Sequence, residues 1–247
     1  MKAKDNELSM LDSWDKNFEA RLSELDNHSD KTYWDVLVPL FKNEIKKMES
    51  NNKVLDVGCG LGFLTEEIAS CVVKTTGIDT SSKSIEYAKR RFTKKGLEFE
   101  NISIISYQEK HQDIRYNICI ANMVFHNIPN LDENLNAISK LLGKNGHLIF
   151  SIPHPAFWYE SREFEKSASY KYYEEKEYKV PFKIKGHKEH PSKIIYCHRS
   201  LQRYSELLKK NNFIITEQNE PYLDSHFPQK NKVRDILYYI CRLKCKK

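Results

Sequence analysis

The sequence of 247 residues predicts an α/β fold in which helices cover both faces of a mostly parallel sheet. Two observations support this prediction. Short apolar runs of strand length alternate with stretches of about ten residues whose apolar positions recur every three or four residues. A turn rich in glycine, with Gly58, Gly60 and Gly62, joins the first of these runs to a helical pattern. Alternating strands and helices form parallel sheets because each helix returns the chain to the same edge.

The first 50 residues carry an apolar repeat of helical spacing and are predicted to be helical. Pro39 falls inside this repeat. It is expected to kink the helix or to divide it in two, because proline lacks the N–H that an internal helical position donates. The apolar residues of the repeat are Trp34, Leu37, Phe41 and Ile45.

From Val54 onward the sequence changes to short strands with helices between them. Helices are predicted at residues 64–70, from residue 82 onward, and at residues 131–143, where apolar residues recur at helical spacing. The five predicted strands are KVLDVG, TTGID, ISIIS, NICIAN and HLIFSI. This alternation indicates a doubly wound sheet.

Residues 153–193 interrupt the alternation. They are crowded with Tyr, Lys and Glu and show no long apolar period, so we expect an insertion at the sheet edge that acts as a lid. The alternation then resumes with the strand KIIYCH, a helix at residues 201–211, and two closing strands, FIITEQ and DILYYICRL.

Composition limits the class of protein. The chain has 40 basic and 34 acidic residues and a net charge of +6, which is too mild to indicate nucleic-acid binding by itself. No apolar run approaches the roughly 18 residues that span a bilayer, and the N-terminus lacks the apolar core of a signal peptide. The six cysteines form no CxxC pair and are interpreted as reduced thiols. These features predict a cytoplasmic globular protein without a metal site.

The glycine turn carries the clearest functional signal. In VLDVGCGLGF, Asp56 precedes Gly58 by two residues, and the glycines follow a D-x-G-x-G-x-G pattern. A dinucleotide-binding G-x-G-x-x-G motif would need a third glycine where Phe63 stands. The pattern resembles motif I of class I S-adenosylmethionine-dependent methyltransferases. The cationic amino-acid end of that cofactor calls for carbonyls and a nearby carboxylate, which Asp56 could provide directly or through water.

Three further stretches carry the same resemblance in the same order. Asp79 ends the second strand in GIDTS, where methyltransferases place the acid that binds both ribose hydroxyls. The stretch from NICIAN to IPHPAF resembles methyltransferases of the ubiquinone/menaquinone-biosynthesis type, and HRSLQRYSELLKKNNF resembles their later helix. The match covers residues 50–155 and 195–245. It departs from the family pattern in SYQE after the third strand, where an aspartate is usual, and at Asn117, where an acid is usual.

The resemblance implies a Rossmann-like, seven-stranded, mostly parallel sheet in a methyltransferase domain at residues 51–247, with the insertion at about 153–193. Residues 1–50 would be a helical cap over the active site. The cofactor would be S-adenosylmethionine, with S-adenosylhomocysteine as its product. The residues expected to bind it are Asp56, Gly58, Cys59, Gly60, Gly62, Asp79, Thr80, Ser106, Tyr107, Gln108, Asn122 and Met123.

The residues expected to contact the methyl acceptor are predicted from their positions along the strands, because ligands of open α/β sheets bind at the carboxyl ends of the strands. His126 follows the fourth strand and is a candidate general base or a surface histidine, and His154 ends the fifth strand and is a candidate general base or a turn histidine. The candidate substrate-binding residues are aromatic, and each could instead be a packing residue. They are Tyr33, Trp34, Phe157, Trp158 and Tyr159.

These features predict methyl transfer to N or O of a small molecule or a peptide terminus, in cofactor or natural-product biosynthesis. Three alternatives stay open. The basic stretch at residues 166–193 is compatible with an RNA methyltransferase, although N-P-P-Y and a Pro-Cys nucleophile are absent. An NAD-dependent oxidoreductase is disfavoured by Phe63, and a non-catalytic binding subunit by Asp56 and Asp79.

Overall fold

The computed structural model describes residues 13–48, 52–157, 170–183, 190–221 and 236–243. The strands are β1 (Lys53–Val57), β2 (Lys74–Asp79), β3 (Leu97–Asn101), β4 (Tyr116–Asn122), β5 (Leu142–Pro153), β6 (Lys176–Pro181), β7 (Lys193–His198), β8 (Phe213–Asn219) and β9 (Ile236–Leu243). The helices are α1 (Phe18–Asp26), α2 (Val38–Lys46), α3 (Phe63–Ala69), α4 (Ser82–Arg91), α5 (Ile104–Lys110), α6 (Leu131–Leu141) and α7 (Leu201–Lys210). A π-helical turn spans Thr32–Leu37, and a 3₁₀ turn spans Phe125–Asn127. Within these residues no helix is long and apolar enough to cross a bilayer.

The main sheet has seven strands in the order β3-β2-β1-β4-β5-β9-β8. Strands β1 to β5 pair in parallel, and β9 runs antiparallel between β5 and β8. The predicted fold class is therefore confirmed. The strand order reverses between β1 and β4, and the carboxyl ends of β1 to β5 form one edge, called here the carboxyl edge. Ligands of doubly wound sheets bind at such a reversal point.

Alternating strand residues build two apolar layers. On β1, Val54 packs with Phe41 and Ile68 of the helices on one face. Leu55 lies on the opposite face, in the cluster that contains Leu135 of α6. Both strand residues are completely buried. A sheet covered on both faces needs near-continuous apolar strands, and this explains why β1 and β4 lack the polar alternation of a half-exposed strand.

The N-terminal segment is helical in its described part, and Pro39 lies in the first turn of α2. The helix break predicted there takes the form of the π-helical turn at Thr32–Leu37, which runs directly into α2. The Val38 N–H donates to the Tyr33 carbonyl five residues back, and Pro39, which has no N–H to donate, follows directly after this wider turn.

The third predicted strand was wrong. The strand is β3, Leu97–Asn101, and the run ISIIS instead begins α5. Ser103 caps this helix, since its side chain accepts a hydrogen bond from the Ser106 N–H at 3.2 Å. The buried side chains of Ile104 and Tyr107 lie at helical spacing, which the run of isoleucines concealed.

The insertion also differs from expectation in its pairing. KIIYCH forms β7, which pairs with β6 in a separate two-stranded hairpin and not with the main sheet. The N-terminal segment packs on this hairpin, with the rings of Trp14 and Phe182 5.2 Å apart in an edge-to-face arrangement. The buried Asn17 side chain exchanges hydrogen bonds of 3.1 and 2.9 Å with the Ser192 backbone.

Two glycines of the turn after β1 should respond differently to substitution. A Cβ on Gly58 would lie 2.6 Å from a Val124 methyl carbon at a φ of 70°, whereas Gly60 has a φ of 53° and open space. We expect Gly58→Ala to lower the free energy of unfolding by about 2–4 kcal/mol, from the positive φ and the overpacking together. Gly60→Ala should cost only about 1 kcal/mol. Urea unfolding without ligand measures both; equal losses would contradict the role of Val124.

Candidate active site

The glycine turn leaves one backbone position open to a ligand. Gly58, Gly60 and Gly62 all have positive φ, at 70°, 53° and 82°. A Cβ would collide with Val124 at Gly58 and with Phe99 at Gly62, but at Gly60 no heavy atom lies within 4 Å of that position. Only a residue without a side chain leaves this space free for a ligand at the carboxyl edge.

Asp79, at the end of β2, fixes the turn. Its Oδ2 accepts the Gly60 N–H at 2.8 Å, and its Oδ1 accepts the Ser81 N–H at 2.8 Å. Each carboxylate oxygen retains a second lone pair, so the same group can still accept two ribose hydroxyls. Burial raises the pKa of Asp79, and the backbone donors from Ser81 and Gly60 oppose that shift. The geometry fits the ribose contact implied by the family resemblance.

Asp56 lies in β1 behind the turn and is 1% exposed. Its Oδ2 accepts a hydrogen bond of 2.7 Å from the Thr65 hydroxyl on α3. Burial raises the pKa of Asp56 to about 7, the Thr65 hydrogen bond opposes this, and the charge of Asp79 adds to it. A cationic ligand beside Asp56 would favour the carboxylate. Thr65 was not among the predicted site residues, although it is the polar residue in the otherwise apolar start of α3.

A second set of contacts shapes the end of β4. The Ser151 hydroxyl on β5 donates to the Asn122 Oδ1 at 2.7 Å and accepts the Met123 N–H at 3.0 Å. Met123 has a φ of 58°, a strained value for a residue with a side chain. Asn122 and Met123 are thus held next to the glycine turn, which Val124 contacts at Gly58. Ser151 was not predicted; its signal is a polar residue inside the apolar run HLIFSI.

His126 follows on the 3₁₀ turn and is 6% exposed. Its ring lies 5.6 Å from the ring of Tyr196 on β7. The hairpin therefore covers the histidine at the carboxyl end of β4. Tyr196 was not among the predicted site residues, because its contact with His126 joins segments 70 residues apart.

His154 lies at the end of β5 and is 2% exposed. Its Nδ1 accepts the Ala156 N–H at 3.2 Å, and its Nε2 is 3.3 Å from the Glu220 carboxylate. Phe157 packs on the ring at 4.6 Å between centroids. Both ring nitrogens are engaged, so the geometry of His154 suits a residue that holds the ends of β5 and β8 together. The roles predicted for His154 and Phe157 stay predictions.

The N-terminal segment reaches the carboxyl edge. The Ser81 hydroxyl, two residues after Asp79, donates to the Asp15 carboxylate at 2.5 Å. Tyr33 is buried beside the glycine turn, and burial followed by the charges of Asp56 and Asp30 raises its pKa, against an opposing effect of Arg21. These contacts agree with a cap over this edge.

Trp34 is half-buried, and its contacts favour a packing role. Its ring packs edge to face on Phe63 at 5.8 Å between centroids and stacks on His28 at 4.1 Å. Its indole N–H donates to the Leu25 carbonyl at 3.0 Å. A role in substrate binding stays a prediction.

The adenine residues predicted from SYQE do not lie where the prediction placed them. Ser106, Tyr107 and Gln108 lie inside α5 and not directly after β3, and their role in adenine binding stays a prediction. Tyr107 points away from the carboxyl edge, since its hydroxyl lies 2.5 Å from that of Tyr116 at the opposite end of β4. The chain that directly follows β3 begins at Ile102.

Four predicted site residues remain, of which two lie within the described part of the chain. Cys59 is half-buried in the turn, where burial raises the pKa of its thiol well above the usual value, and Thr80 is exposed. Trp158 and Tyr159 lie outside the described residues. Among the residues that the structure describes, no three His, Cys, Asp or Glu side chains are grouped so that they could hold a metal ion.

Comparison with known proteins assigns the family. A family model described as a methyltransferase domain matches residues 48–232, which is most of the chain. The chain belongs to this methyltransferase family. The assignment confirms the predictions of a methyltransferase enzyme and of its class I fold.

Two curated relatives are O-methyltransferases by name. The malonyl-[acyl-carrier protein] O-methyltransferase of Acetivibrio thermocellus is 32% identical over 105 residues, which cover 42% of this chain and 36% of that protein. The ubiquinone biosynthesis O-methyltransferase of Pasteurella multocida is 29% identical over 112 residues, covering 41% and 46%. The matched region is thus less than half of each relative.

Solved structures share the fold over a larger part of the chain. One, from Listeria monocytogenes and assigned to the S-adenosylmethionine-dependent methyltransferases, has a TM-score of 0.63 at 24% identity and covers 82% of this chain and 97% of its own. The DhpI complex with S-adenosylhomocysteine has a TM-score of 0.61 at 16% identity, covering 96% and 98%. These neighbours agree with the predicted cofactor.

Asp56 should make stability depend on pH. Its pKa is about 7 in the folded protein against an ordinary value of 3.8, so the folded state holds a proton that the unfolded state releases. Without ligand, the free energy of unfolding should fall by about 1 kcal/mol per unit as pH rises from about 4 to 7. Asp56→Asn should flatten this dependence and be the more stable protein at pH 8. Urea unfolding at several pH values tests this, with exposed Asp35→Asn as control; an unchanged slope in Asp56→Asn would contradict it.

Asp79→Asn should weaken cofactor binding. The amide offers one acceptor oxygen and turns an N–H donor toward Gly60 or Ser81, so a charge-assisted contact to the ribose is lost. We expect the dissociation constant of S-adenosylhomocysteine to rise at least about tenfold in calorimetry. Glu98→Gln, which alters an exposed carboxylate on β3, is the control. Equal affinities for the wild type and Asp79→Asn would exclude Asp79 from the ribose contact.

Proposed function

We propose that this chain transfers a methyl group from S-adenosylmethionine to a small molecule or a peptide terminus, and that the acceptor atom is a hydroxyl or carboxyl oxygen. The observation that carries the proposal is the Asp79 carboxylate, which holds the Gly60 N–H at 2.8 Å beside backbone that is open to a ligand. The two curated relatives support oxygen as the acceptor by their names. A place in cofactor or natural-product biosynthesis is part of the proposal.

The residues at the carboxyl edge suit the different parts of this cofactor. Asp79 would take the ribose, the turn at Gly60 would lie against the methionine end, and Asp56 would offset its positive charge. S-adenosylmethionine, when bound, supplies a methyl group already activated on a sulfonium. The protein therefore has mainly to hold the acceptor in line with that methyl and to exclude water.

His126 is the residue best placed to act on the acceptor. It lies on the turn that follows Asn122 and Met123, and Tyr196 covers it from the hairpin. An imidazole beside a hydroxyl acceptor would remove its proton as the bond to carbon forms. A carboxylate acceptor is already ionised and would need orientation only.

Ligand binding is the first test. Thermal unfolding of the wild type and of Asp79→Ala is measured with S-adenosylmethionine, S-adenosylhomocysteine, NAD and NADH. A ligand at about 100 times its dissociation constant adds roughly 2.7 kcal/mol to the free energy of unfolding. We expect stabilisation by the two sulfur compounds alone, lost in Asp79→Ala. Stabilisation by NAD would replace the proposal with an oxidoreductase, and no stabilisation at all would indicate a non-catalytic subunit.

Acceptor class is the second test. Transfer of radiolabelled methyl from S-adenosylmethionine is measured with phenols, aliphatic carboxylic acids, amines and RNA. We expect label on an oxygen acceptor. Label on RNA alone, falling steeply with salt, would establish the nucleic-acid alternative.

His126→Gln should lower kcat for a hydroxyl acceptor by about 100-fold, in the range usual for loss of a general base. The affinity for S-adenosylhomocysteine should stay within about twofold, since His126 is placed on the acceptor side. His111→Gln, at the far end of α5, is the matched control. If kcat for a phenol is unchanged in His126→Gln, His126 is not the base.

A further inference from the structure

Arg199 is the largest charged group buried in the described part of the chain. It lies between β7 and α7 and is 1% exposed. Burying a guanidinium is costly unless every N–H finds an acceptor. Its acceptors therefore indicate what the residue is for.

Three of those acceptors are carbonyls of one loop. One terminal nitrogen, Nη1, donates to the Phe125 carbonyl at 3.1 Å. The other, Nη2, donates to the Ile128 and Pro129 carbonyls at 2.7 and 2.6 Å. Residues 125–129 begin with the 3₁₀ turn that carries His126, and the Phe125 carbonyl also accepts the Ile128 N–H of that turn at 3.4 Å. The guanidinium donates to all three loop carbonyls from a single rigid plane.

The remaining N–H groups tie this loop to the insertion and to α7. Nε donates to the Glu175 carboxylate at 2.6 Å, just before β6. The Tyr204 hydroxyl of α7 lies close enough to the guanidinium for the positive charge to oppose the rise that burial causes in the pKa of Tyr204. The same hairpin places Tyr196 5.6 Å from the ring of His126. The Arg199 side chain thus contacts both the loop that carries His126 and the β6–β7 hairpin that covers it. Lysine lacks the planar fork needed for this set of acceptors.

We infer that Arg199 is a positioning residue for methyl transfer, which holds the 125–129 loop so that His126 and the hairpin face the acceptor. Nothing in the geometry places Arg199 at the cofactor, because its contacts lie on the loop after β4, the hairpin and α7. The inference rests on the proposed function only in giving His126 a role toward the acceptor.

The matched pair of variants is Arg199→Ala and Arg203→Ala. Arg203 donates to the other Glu175 oxygen at 2.8 Å, but its side chain is 42% exposed and it makes none of the loop contacts. Nitrogen-15 spectra of the histidine rings, with the His126 signals assigned from His126→Gln, report the loop without any acceptor. We expect the His126 signals to shift in Arg199→Ala and not in Arg203→Ala.

Turnover and rescue separate positioning from general support of the fold. With the acceptor found in the methyl-transfer screen, Arg199→Ala should lose about 10- to 100-fold in kcat while its affinity for S-adenosylhomocysteine stays within about twofold. Millimolar guanidinium should restore part of the kcat and the His126 signals in Arg199→Ala only. If cofactor affinity falls along with kcat and guanidinium restores neither, Arg199 is merely structural.

If Arg199→Ala does not fold, Glu175→Ala carries the test, because it keeps Arg199 but frees its Nε. The His126 signals should then shift in the same direction as in Arg199→Lys, and by less than in that variant. Unmoved signals in both variants would overturn the inference. A wild type that binds cofactor but methylates no acceptor would defeat the proposed function alone, since the ring spectra still decide the position of His126.

Discussion

The site depends on one carboxylate at the carboxyl end of β2. Asp79 accepts the N–H of Gly60 on one side and that of Ser81 on the other, so it joins the glycine turn to the start of α4. Because a carboxylate has no proton to donate, every neighbouring group must point a donor toward it. Both backbone donors do so, and each oxygen keeps a lone pair that could accept a ligand's hydroxyl. The local fold and the binding site proposed for the ligand therefore depend on the same group.

The parts of this arrangement that are local in sequence could be predicted. Asp56, the three glycines and Asp79 follow adjacent strands, and strand ends of a parallel sheet meet at one edge, so their proximity follows from the fold class. Local signals can also mislead. The isoleucines of ISIIS favour a strand by composition, but the Ser103 cap and the helical spacing of Ile104 and Tyr107 override that preference. The residues Ser106, Tyr107 and Gln108, which were expected directly after that strand, therefore lie inside α5.

Contacts between distant segments could not be predicted. Thr65, Ser151 and Arg199 matter through their partners, which lie 9, 29 and more than 70 residues away in the chain. One sequence carries no record of such pairs, since any buried polar residue could satisfy its hydrogen bonds in many ways. What the sequence does show is the anomaly itself, as with Ser151 in an apolar strand. A polar residue in a buried run predicts that a partner exists, but not which one.

The N-terminal segment and the β6–β7 hairpin are joined by contacts of a different kind from those within the main sheet. The sheet is held by two apolar layers, whereas the N-terminal segment adds polar pairs to the apolar contact of Trp14 with Phe182. Asn17 pairs with Ser192, and Glu24 with His190 at 2.9 Å. Burial opposes ionisation of Glu24, but the hydrogen bond and charge of His190, with Arg21, outweigh it and lower the pKa of Glu24. Polar pairs can exchange their partners for water, so separating them costs less than exposing an apolar layer. The polar part of this contact is therefore easier to separate than the two sheet layers, while Arg199 keeps the hairpin fixed to the loop after β4.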